Sequence, residues 1–147
     1  QIKNDKIKID LQIKNRTKNV QGDKDELFQV LQNLLENAIR YGGKKCEVII
    51  SLRQAETRPP NLPKNSWPAV CIEVSDNGPG IDKIHLGRLT ERFYRVDSSR
   101  SKERGGTGLG LAIVKHIVNR HRGCLVIDSE PSIGSKFSVY LKENNPK

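Results

Sequence analysis

Residues 105–114, with the sequence GGTGLGLAIV, constrain this chain more than any other segment. The run holds four of the twelve glycines in the chain and passes directly into an apolar helical pattern. Glycine is a poor helix former, so glycines concentrated at a helix start indicate a backbone that something approaches closely. The exposed N–H groups and the positive dipole end at such a start suit a phosphate group. On its own, the run is equally consistent with a flexible linker.

Three well-known nucleotide-binding arrangements do not fit this segment. A P-loop requires Gly-Lys-Ser/Thr, which does not follow the glycines. A dinucleotide-binding fold places its glycine run directly after a strand, whereas residues 97–107 have the composition of a polar, basic, mobile loop. A eukaryotic-type protein kinase needs an HRD-like catalytic loop, which the sequence lacks. The partners of the glycine run must therefore come from elsewhere in the chain.

The apolar pattern of the first forty residues predicts a strand followed by a helix. Apolar and polar residues alternate over residues 6–14, which is typical of a half-buried strand. Apolar residues recur at helical spacing over residues 24–41, with Asp23 as the N-cap, Glu26 completing a capping box and Gly42 ending the helix. The apolar residues of the alternating strand are Ile7, Ile9, Leu11 and Ile13.

The rest of the chain alternates strands with turns and one further strong helix. Residues 54–67, which contain three prolines, separate two strands that look paired and are expected to form a protruding hairpin loop. A weak helical pattern covers residues 82–94, and a strong one covers residues 109–121. Because hairpins dominate over strand–helix–strand units, the order of elements indicates an α+β two-layer sandwich. The remaining predicted strands lie near Val20 and over residues 46–53, 69–75, 124–129 and 135–141.

The length and net charge of the chain limit which class of protein it can be and which class of ligand it can bind. A chain of 147 residues suits one domain, and no segment approaches the roughly 20 apolar residues of a transmembrane helix. The net charge of +9 is spread along the chain without aromatic interleaving, which favours an anionic small ligand or an acidic protein partner over nucleic acid. Cys46, Cys71 and Cys124 stand singly in apolar runs and are expected to be reduced core thiols, not metal ligands.

The first predicted helix carries a polar row beside its apolar stripe. Asn33 and Asn37 are four residues apart and Arg40 follows three residues later, so the three side chains lie together on a helix. Asparagine is a mediocre helix former, so two in mid-helix require a reason. They are either solvated surface residues or the border of a ligand cleft, where an amide oxygen can ligate Mg²⁺. Glu36, beside the row, is either a surface glutamate or a group that activates a nucleophile.

A carboxylate and two glycines follow directly on a predicted strand in SDNGPGI, residues 75–81. Asp76 stands at the strand end, and Gly78 and Gly80 leave the neighbouring backbone open to close approach. Asp-Asn-Gly is also an ordinary β-turn sequence. The segment is therefore either a simple turn or one wall of a ligand site.

Five segments stand in a recognisable order along the chain: NLLENAIRY (33–41), SDNGPGI (75–81), ERFYRVD (91–97), GGTGLGLAIV (105–114) and GSKFSVYL (134–141). They resemble, in turn, the N box, first glycine box, F box, second glycine box and last strand of the ATP-binding domain of bacterial sensor histidine kinases. The likeness covers nearly the whole chain, and RFYRVDSSRS is most similar to the phosphate-regulon type. It implies the Bergerat fold, a mixed sheet covered on one face by about three helices.

The resemblance implies that the chain binds ATP with Mg²⁺. Asp76 would accept the exocyclic amine of adenine, Asn37 would ligate Mg²⁺, and Glu36 would help an incoming histidine attack the γ-phosphate. Arg95 and Arg100 would neutralise phosphate charge from an ATP lid over residues 95–107. The further residues implied to contact the nucleotide are Asn33, Arg40, Tyr41, Gly78, Gly80, Lys102, Gly106, Thr107, Gly108, Leu109 and Gly110.

None of the three histidines, His85, His116 and His121, lies in a sequence like a phosphoacceptor site. The resemblance therefore implies that phosphate passes to a histidine on a separate dimerisation domain of the same parent kinase, and then to a response regulator. The chain starts at Gln1 and is expected to be a monomeric fragment, residues 1–147 forming one ATP-binding domain. Its parent is expected to be a membrane-anchored homodimer with this domain in the cytoplasm.

Two other functions compete with this interpretation. A non-catalytic nucleotide-binding scaffold would keep the fold without phosphate transfer, and another ATPase of the same superfamily would use a glutamate to activate water. The presence of Glu36, Asn37 and Asp76 favours a catalytic domain, and the F box with its short lid favours the kinases. Phe93 and Tyr94 of the F box are expected to pack at the base of the lid.

Overall fold

The computed structural model describes residues 8–13, 19–42, 46–94 and 109–144, and these residues form six strands and three helices. The strands are β1 (Lys8–Ile13), β2 (Asn19–Val20), β3 (Glu47–Gln54), β4 (Ala69–Asp76), β5 (Cys124–Glu130) and β6 (Gly134–Asn144). The helices are α1 (Lys24–Tyr41), α2 (Lys83–Leu86) and α3 (Gly110–Arg120), and a 3₁₀ turn covers Lys64–Ser66. Among these helices, none is long and apolar enough to cross a membrane.

The strands form one mixed sheet in the order β1-β3-β4-β6-β2, with β5 also paired to β6. β1 runs parallel to β3, and the other pairs are antiparallel. The long strand β6 pairs β4 along one edge, and β5 followed by β2 along the other. This arrangement confirms the predicted α+β class and the mixed sheet.

The main core lies between the sheet and the helix pair α1 and α3. On α1, Val30, Leu34 and Ala38 recur every fourth residue and are at most 2 % exposed, so one stripe of the helix faces the core. The periodicity that predicted these two helices therefore also predicted their buried faces. The other buried members of this core are Cys46, Val48, Ile50, Val74, Val114, Ile117, Val118, Phe137, Val139 and Leu141.

β1 departs from its predicted environment. All six of its residues are exposed, with Ile9 at 49 % and Leu11 at 59 % accessibility. These two side chains share a sheet face with their register partners Val48 and Ile50, which belong to the main core. The prediction of a half-buried strand is wrong because alternation identifies the two faces of a strand, but not whether anything covers them. Ile7 lies outside the described residues.

The proline-rich segment folds onto the sheet and does not protrude as predicted. Its Leu62 is buried in a second cluster with Cys71 of β4. Cys71 and Val74 are three residues apart on one strand and therefore face opposite sides of the sheet, so this cluster lies away from the helices. The prediction failed because a single apolar residue among prolines gives no periodic signal. The buried members of the cluster are Ala55, Leu62, Ala69, Cys71 and Cys124, and all three cysteines are buried and free, as expected.

α1 is capped by Asp23 as predicted, but without a capping box. The Asp23 carboxylate accepts hydrogen bonds from the N–H groups of Asp25 and Glu26 at 2.9 and 3.0 Å. The Glu26 carboxylate pairs instead with Arg120 of α3, and the Asp23 N–H donates to His121 Nε2 at 3.0 Å. The predicted return bond from Glu26 is therefore wrong, because partners 94 and 98 residues away replace the local one.

The segment after β4 is formed mostly by turns. Only Lys83–Leu86 are helical, where a longer weak helix was predicted. Tyr94 is held within this segment, since its hydroxyl hydrogen-bonds His85 Nδ1 and the Arg88 guanidinium lies 4.5 Å from its ring centroid. Phe93 is 67 % exposed with a φ of 67°. The lid at whose base both residues are predicted to pack lies outside the described residues.

Candidate functional site

The polar row of α1 meets the first residue of α3. Asn33 Nδ2 donates a hydrogen bond to the Gly110 carbonyl oxygen at 3.4 Å, across 77 residues of sequence. Both residues are half-buried. The asparagine-bearing helix and the end of the glycine run, which the sequence predicts to share a site, therefore lie side by side.

The other members of the row follow Asn33 along α1. Asn37 and Arg40 are half-buried, about one and two turns beyond it, whereas Glu36 is exposed. Tyr41 is the last residue of the helix. Half-burial at three successive positions fits the border of a cleft better than a fully solvated face. The exposure of Glu36 leaves its carboxylate accessible to a second molecule.

Asp76 ends β4 and presents a carboxylate held by backbone N–H groups. Its Oδ1 accepts a hydrogen bond from the Gly78 N–H at 2.9 Å. Burial raises the pKa of this carboxyl because the charged form loses hydration, while hydrogen bonds from the backbone of Gly78 and Ser135 oppose the rise. A half-buried carboxylate in a fixed orientation can accept a hydrogen bond from an N–H group of a ligand.

The turn over residues 76–80, called the Asp76 turn below, contains two glycines at positions where other backbone segments come too close for a side chain. A Cβ on Gly78 would lie 2.7 Å from the Cα of Gly42, so glycine allows the turn to lie against the end of α1. Gly80 has a φ of 77°, and a Cβ there would lie 2.1 Å from the Glu130 carbonyl oxygen. The turn is therefore packed between α1 and the β5–β6 hairpin. The close approach that the sequence predicted is made, at these two glycines, by the protein's own backbone.

Two side chains that were not among the predicted site residues, Asn77 and Ser129, hold this turn in place. Asn77 Oδ1 accepts a hydrogen bond from the Glu47 N–H at 2.8 Å, and the Asn77 N–H donates to the Glu47 carbonyl at 3.3 Å. Ser129 Oγ accepts from the Ile81 N–H at 2.7 Å and donates to the Gly134 carbonyl at 3.0 Å. Asparagine in a turn is a known signal for such bonds. Ser129 carries no comparable signal because it acts from a neighbouring strand.

Cys46 lies beneath the C-terminal end of α1, near the Asp76 turn. Its Sγ is 3.8 Å from the Ala38 carbonyl oxygen, a weak S–H hydrogen bond. Burial, with the negative charges of Asp76 and Glu47 adding to it, raises the pKa of this thiol to about 11. The thiol therefore stays protonated at neutral pH, and Cys46 serves packing, not nucleophilic chemistry.

Part of the predicted site falls outside the described residues. Within them, Leu109 precedes α3, and its carbonyl accepts a hydrogen bond from the Ile113 N–H at 2.9 Å. The helix begins at Gly110, one residue later than predicted, which is within the usual variation of helix ends. The predicted site residues outside the described residues are Arg95, Arg100, Lys102, Gly106, Thr107 and Gly108.

The side chains available as metal ligands limit how a metal ion could be bound. The described residues contain no group of three or more His, Cys, Asp or Glu side chains that could hold a metal ion. Mg²⁺ commonly takes one or two protein ligands and completes its shell with water and phosphate oxygens. The half-buried Asn37 amide fits that limited role, and a metal cage built from protein alone is not present among these residues.

Comparison with known proteins finds a family and relatives that cover most of the chain. Residues 22–145 match the family described as "Histidine kinase-, DNA gyrase B-, and HSP90-like ATPase". The phosphate regulon sensor protein PhoR of Pseudomonas aeruginosa is 43 % identical over 122 residues, which cover 83 % of this chain and 25 % of the relative. The chain thus spans about a quarter of the length of the curated relatives it matches.

Solved structures share the same architecture. The mycobacterial sensor histidine kinase MprB superposes with a TM-score of 0.76 at 28 % identity, covering 96 % of this chain and 86 % of that chain. Full-length ShkA in complex with AMPPNP superposes with a TM-score of 0.73 at 23 % identity, covering 95 % of this chain and 26 % of that chain. The predicted two-layer fold is confirmed by these likenesses.

Proposed function

Because the chain belongs to the histidine kinase-, DNA gyrase B- and HSP90-like ATPase family, we propose that it is the ATP-binding catalytic domain of a two-component sensor histidine kinase. The domain binds Mg-ATP and transfers the γ-phosphate to a histidine on a separate dimerisation domain of the same parent kinase. One observation carries the proposal: the start of α3 and the Asp76 turn, which are distant in sequence, both contact the C-terminal half of α1. Asn33 bonds Gly110 at 3.4 Å, and the Asp76 turn lies against Gly42 at the end of α1.

Asp76 recognises the adenine end of the nucleotide. Its carboxylate is half-buried and bonded by the Gly78 N–H, so an acceptor lone pair is held in one direction. An exocyclic amine is a donor that matches this acceptor, whereas the exocyclic oxygen of guanine presents only lone pairs at the equivalent position. The residue therefore supports selection of ATP over GTP.

The polar row of α1 and the start of α3 bind the phosphate end. Asn37 offers an amide oxygen to Mg²⁺, and Asn33 and Arg40 border the same side of the helix. Gly110 begins α3, so the positive end of that helix points toward this region. When bound, Mg²⁺ supplies charge neutralisation between phosphate oxygens. The full set of Asn33, Arg40, Tyr41, Gly78, Gly80, Leu109 and Gly110 is proposed to contact the nucleotide.

Glu36 and the basic lid serve the transfer step. Glu36 is exposed beside the half-buried Asn37, where it can accept the proton of an incoming histidine or orient its ring. The lid, residues 95–107, brings Arg95, Arg100 and Lys102 to the phosphates, and Gly106, Thr107 and Gly108 offer backbone N–H groups. Positioning and charge neutralisation of this kind are the main requirements of phosphoryl transfer.

The partners follow from the same proposal. The domain acts on a dimerisation domain within a homodimeric parent, and the phosphate then passes to a response regulator. The named likenesses support this assignment, since PhoR is a sensor protein and MprB a sensor histidine kinase. The complex of ShkA with AMPPNP, an ATP analogue, supports ATP as the nucleotide. We place the domain in the cytoplasmic part of a membrane-anchored kinase.

Labelled phosphate provides the test of the proposed transfer. The domain is mixed with Mg²⁺, ATP labelled at the γ-phosphate and the dimerisation domain of its parent kinase. We expect label on that domain that is lost in acid and retained in base, as phosphohistidine chemistry requires, and none when the acceptor histidine is replaced by alanine. ATP binding without any transfer would favour a nucleotide-binding scaffold. Release of inorganic phosphate without a labelled acceptor would favour an ATPase.

A further inference from the structure

A cavity lined by polar residues lies at the other end of α3 from the proposed nucleotide site. It has a volume of about 390 Å³ and is lined by Gln21, Asn65, Ser66, His121, Arg122 and Lys142. We propose that this cavity, called the basic pocket below, binds a small polyanion with two or more negative charges on phosphate or carboxylate groups. It shares no lining residue with the proposed nucleotide site.

The charge of the lining residues points to an anion. Arg122 and Lys142 each carry a positive charge, and no carboxylate is among the six lining residues. Gln21 and Asn65 add side-chain amides, whose N–H groups are further donors. A concave site with an excess of one charge concentrates counter-ions of the other sign. Two cations on separate elements suit a ligand whose negative charge is spread over more than one group.

His121 contributes a wall of the pocket and is not available as a ligand. Its Nδ1 lies 2.8 Å from the Ile117 carbonyl oxygen, which can only accept, so Nδ1 carries the proton. Its Nε2 accepts from the Asp23 N–H at 3.0 Å. Both ring nitrogens are therefore bonded within the protein, and the imidazole is neutral in this arrangement. Positive charge in the pocket comes from Arg122 and Lys142.

Hydrogen bonds at the backbone fix the segments that carry the two cations. The buried Ser66 hydroxyl donates to the Arg122 carbonyl at 2.6 Å, and Arg122 adopts a left-handed φ of 58° in the turn after α3. The Gln21 N–H donates to the Lys142 carbonyl at 3.3 Å. The backbone of the pocket is thus formed before a ligand arrives, which lowers the entropy cost of binding.

The proline-rich segment acquires a role from this pocket. Residues 54–67 supply Asn65 and Ser66, and Leu62 anchors the segment to the second apolar cluster. The folded segment therefore closes one side of the cavity. A volume near 390 Å³ falls within the roughly 300–1,000 Å³ of small-molecule sites.

The test titrates the isotope-labelled domain with pyrophosphate in one arm and citrate in the other, and follows backbone amide NMR signals. Ser66 and Arg122 report on the basic pocket, whereas Gly78 and Gly110 report on the nucleotide site. We expect at least one anion to shift the pocket signals saturably, with a dissociation constant below about 10 mM. The two arms distinguish phosphate from carboxylate ligands.

Variants that remove charge test whether Arg122 and Lys142 are responsible for anion binding in the basic pocket. In Arg122→Gln with Lys142→Gln, binding should weaken about tenfold or more, because two charge-assisted contacts are lost. The matched control, Lys83→Gln with Lys115→Gln, removes the same charge from exposed positions elsewhere and should change the affinity less than about twofold. Arg122→Lys keeps the positive charge and should therefore keep the affinity for the anion. Lys142→Gln alone removes one charge from an exposed position on β6, so it tests the effect of charge without changing the turn that holds Arg122.

Two outcomes would overturn the proposal. One is that neither anion shifts the pocket signals of the wild-type domain. The other is that the charge-removing double variant, with its amide spectrum still that of a folded protein, binds as tightly as the wild type.

Discussion

The two ends of the helix pair α1 and α3 differ in what their polar groups do. At the far end, the Glu26–Arg120 ion pair and the His121–Asp23 hydrogen bond join α1 to α3. At the end assigned to the nucleotide, the half-buried Asn33 amide donates to the Gly110 carbonyl oxygen at 3.4 Å. The far end uses its polar groups to hold the fold, whereas the nucleotide end keeps half-buried amides beside the start of α3 and the half-buried Asp76 carboxylate near the end of α1.

This difference separates residues that stabilise the domain from residues that serve its activity. Substitutions at the nucleotide end should change binding or transfer more than stability. Substitutions at the far end should do the reverse. The following predictions test that division, from the largest expected effect to the smallest.

Glu36→Gln should reduce phosphate transfer to the dimerisation domain by at least about a hundredfold, because general-base groups contribute roughly 10²–10⁴ to rates. ATP affinity should stay unchanged, since Glu36 is exposed and lies outside the half-buried row. Labelled transfer and calorimetric ATP binding measure the two quantities. Glu56→Gln, an exposed position in the proline-rich segment, is the matched control. Full transfer by Glu36→Gln would remove this residue from the reaction.

Asp76→Asn should weaken ATP binding about tenfold or more while the domain remains folded. The amide keeps an oxygen for the Gly78 N–H but turns an N–H donor toward the adenine amine, so a charge-assisted hydrogen bond is replaced by a repulsive contact. Calorimetry measures the affinity, and Asp128→Asn on β5 serves as an exposed control. Equal affinities for both variants and the wild type would exclude Asp76 from the adenine site.

His121→Ala should lower the free energy of unfolding by about 1–2 kcal/mol, because it removes one bond at the start of α1 and one at the end of α3. ATP affinity should change by less than about twofold. Urea unfolding and calorimetry provide the two measurements. His116→Ala, at an exposed position of the same helix, should cost under about 0.5 kcal/mol. A loss of ATP binding without a loss of stability would contradict the division between the two ends.

The pH dependence of stability should show that Asp76 disfavours the folded state when charged. Its folded-state pKa is raised above the usual 3.8, so the folded state holds the proton more tightly than the unfolded one. Wild-type stability relative to Asp76→Asn should therefore fall as pH rises from about 3.8 through the raised pKa, and then level off. Urea unfolding midpoints of the two proteins across this range measure the effect. The opposite result, an Asp76→Asn variant that is less stable than the wild type only at neutral pH, would contradict the predicted direction of this pH dependence.

Local sequence signals predicted the local parts of the fold well. Asp23 begins α1 as its carboxylate chemistry requires, and the apolar residues of α1 and α3 are buried as their spacing indicates. The resemblance to sensor histidine kinases implied that Asn33 and Gly110 share a site, and the two residues are in contact. The signals for the cap and for the buried helix faces lie within a few residues of one another.

Long-range features were not accessible in the same way. Alternation in β1 could not show that the face bearing Ile9 and Leu11 is uncovered. The capping box failed because Arg120 and His121 reach Glu26 and Asp23 from another helix. No pattern in the proline-rich segment revealed that Leu62 would be buried on the second face of the sheet. In each of these cases the deciding neighbour is distant in sequence.

A crystal structure of the domain with Mg²⁺ and AMPPNP tests the assignment of the nucleotide end most directly. We predict the adenine amine within about 3 Å of the Asp76 carboxylate and Mg²⁺ about 2.1 Å from the Asn37 amide oxygen. The phosphates should lie between α1 and the start of α3, and Glu26–Arg120 at the far end should remain paired. A nucleotide bound at any other place, with Asp76 and Asn37 not contacting it, would contradict the assignment.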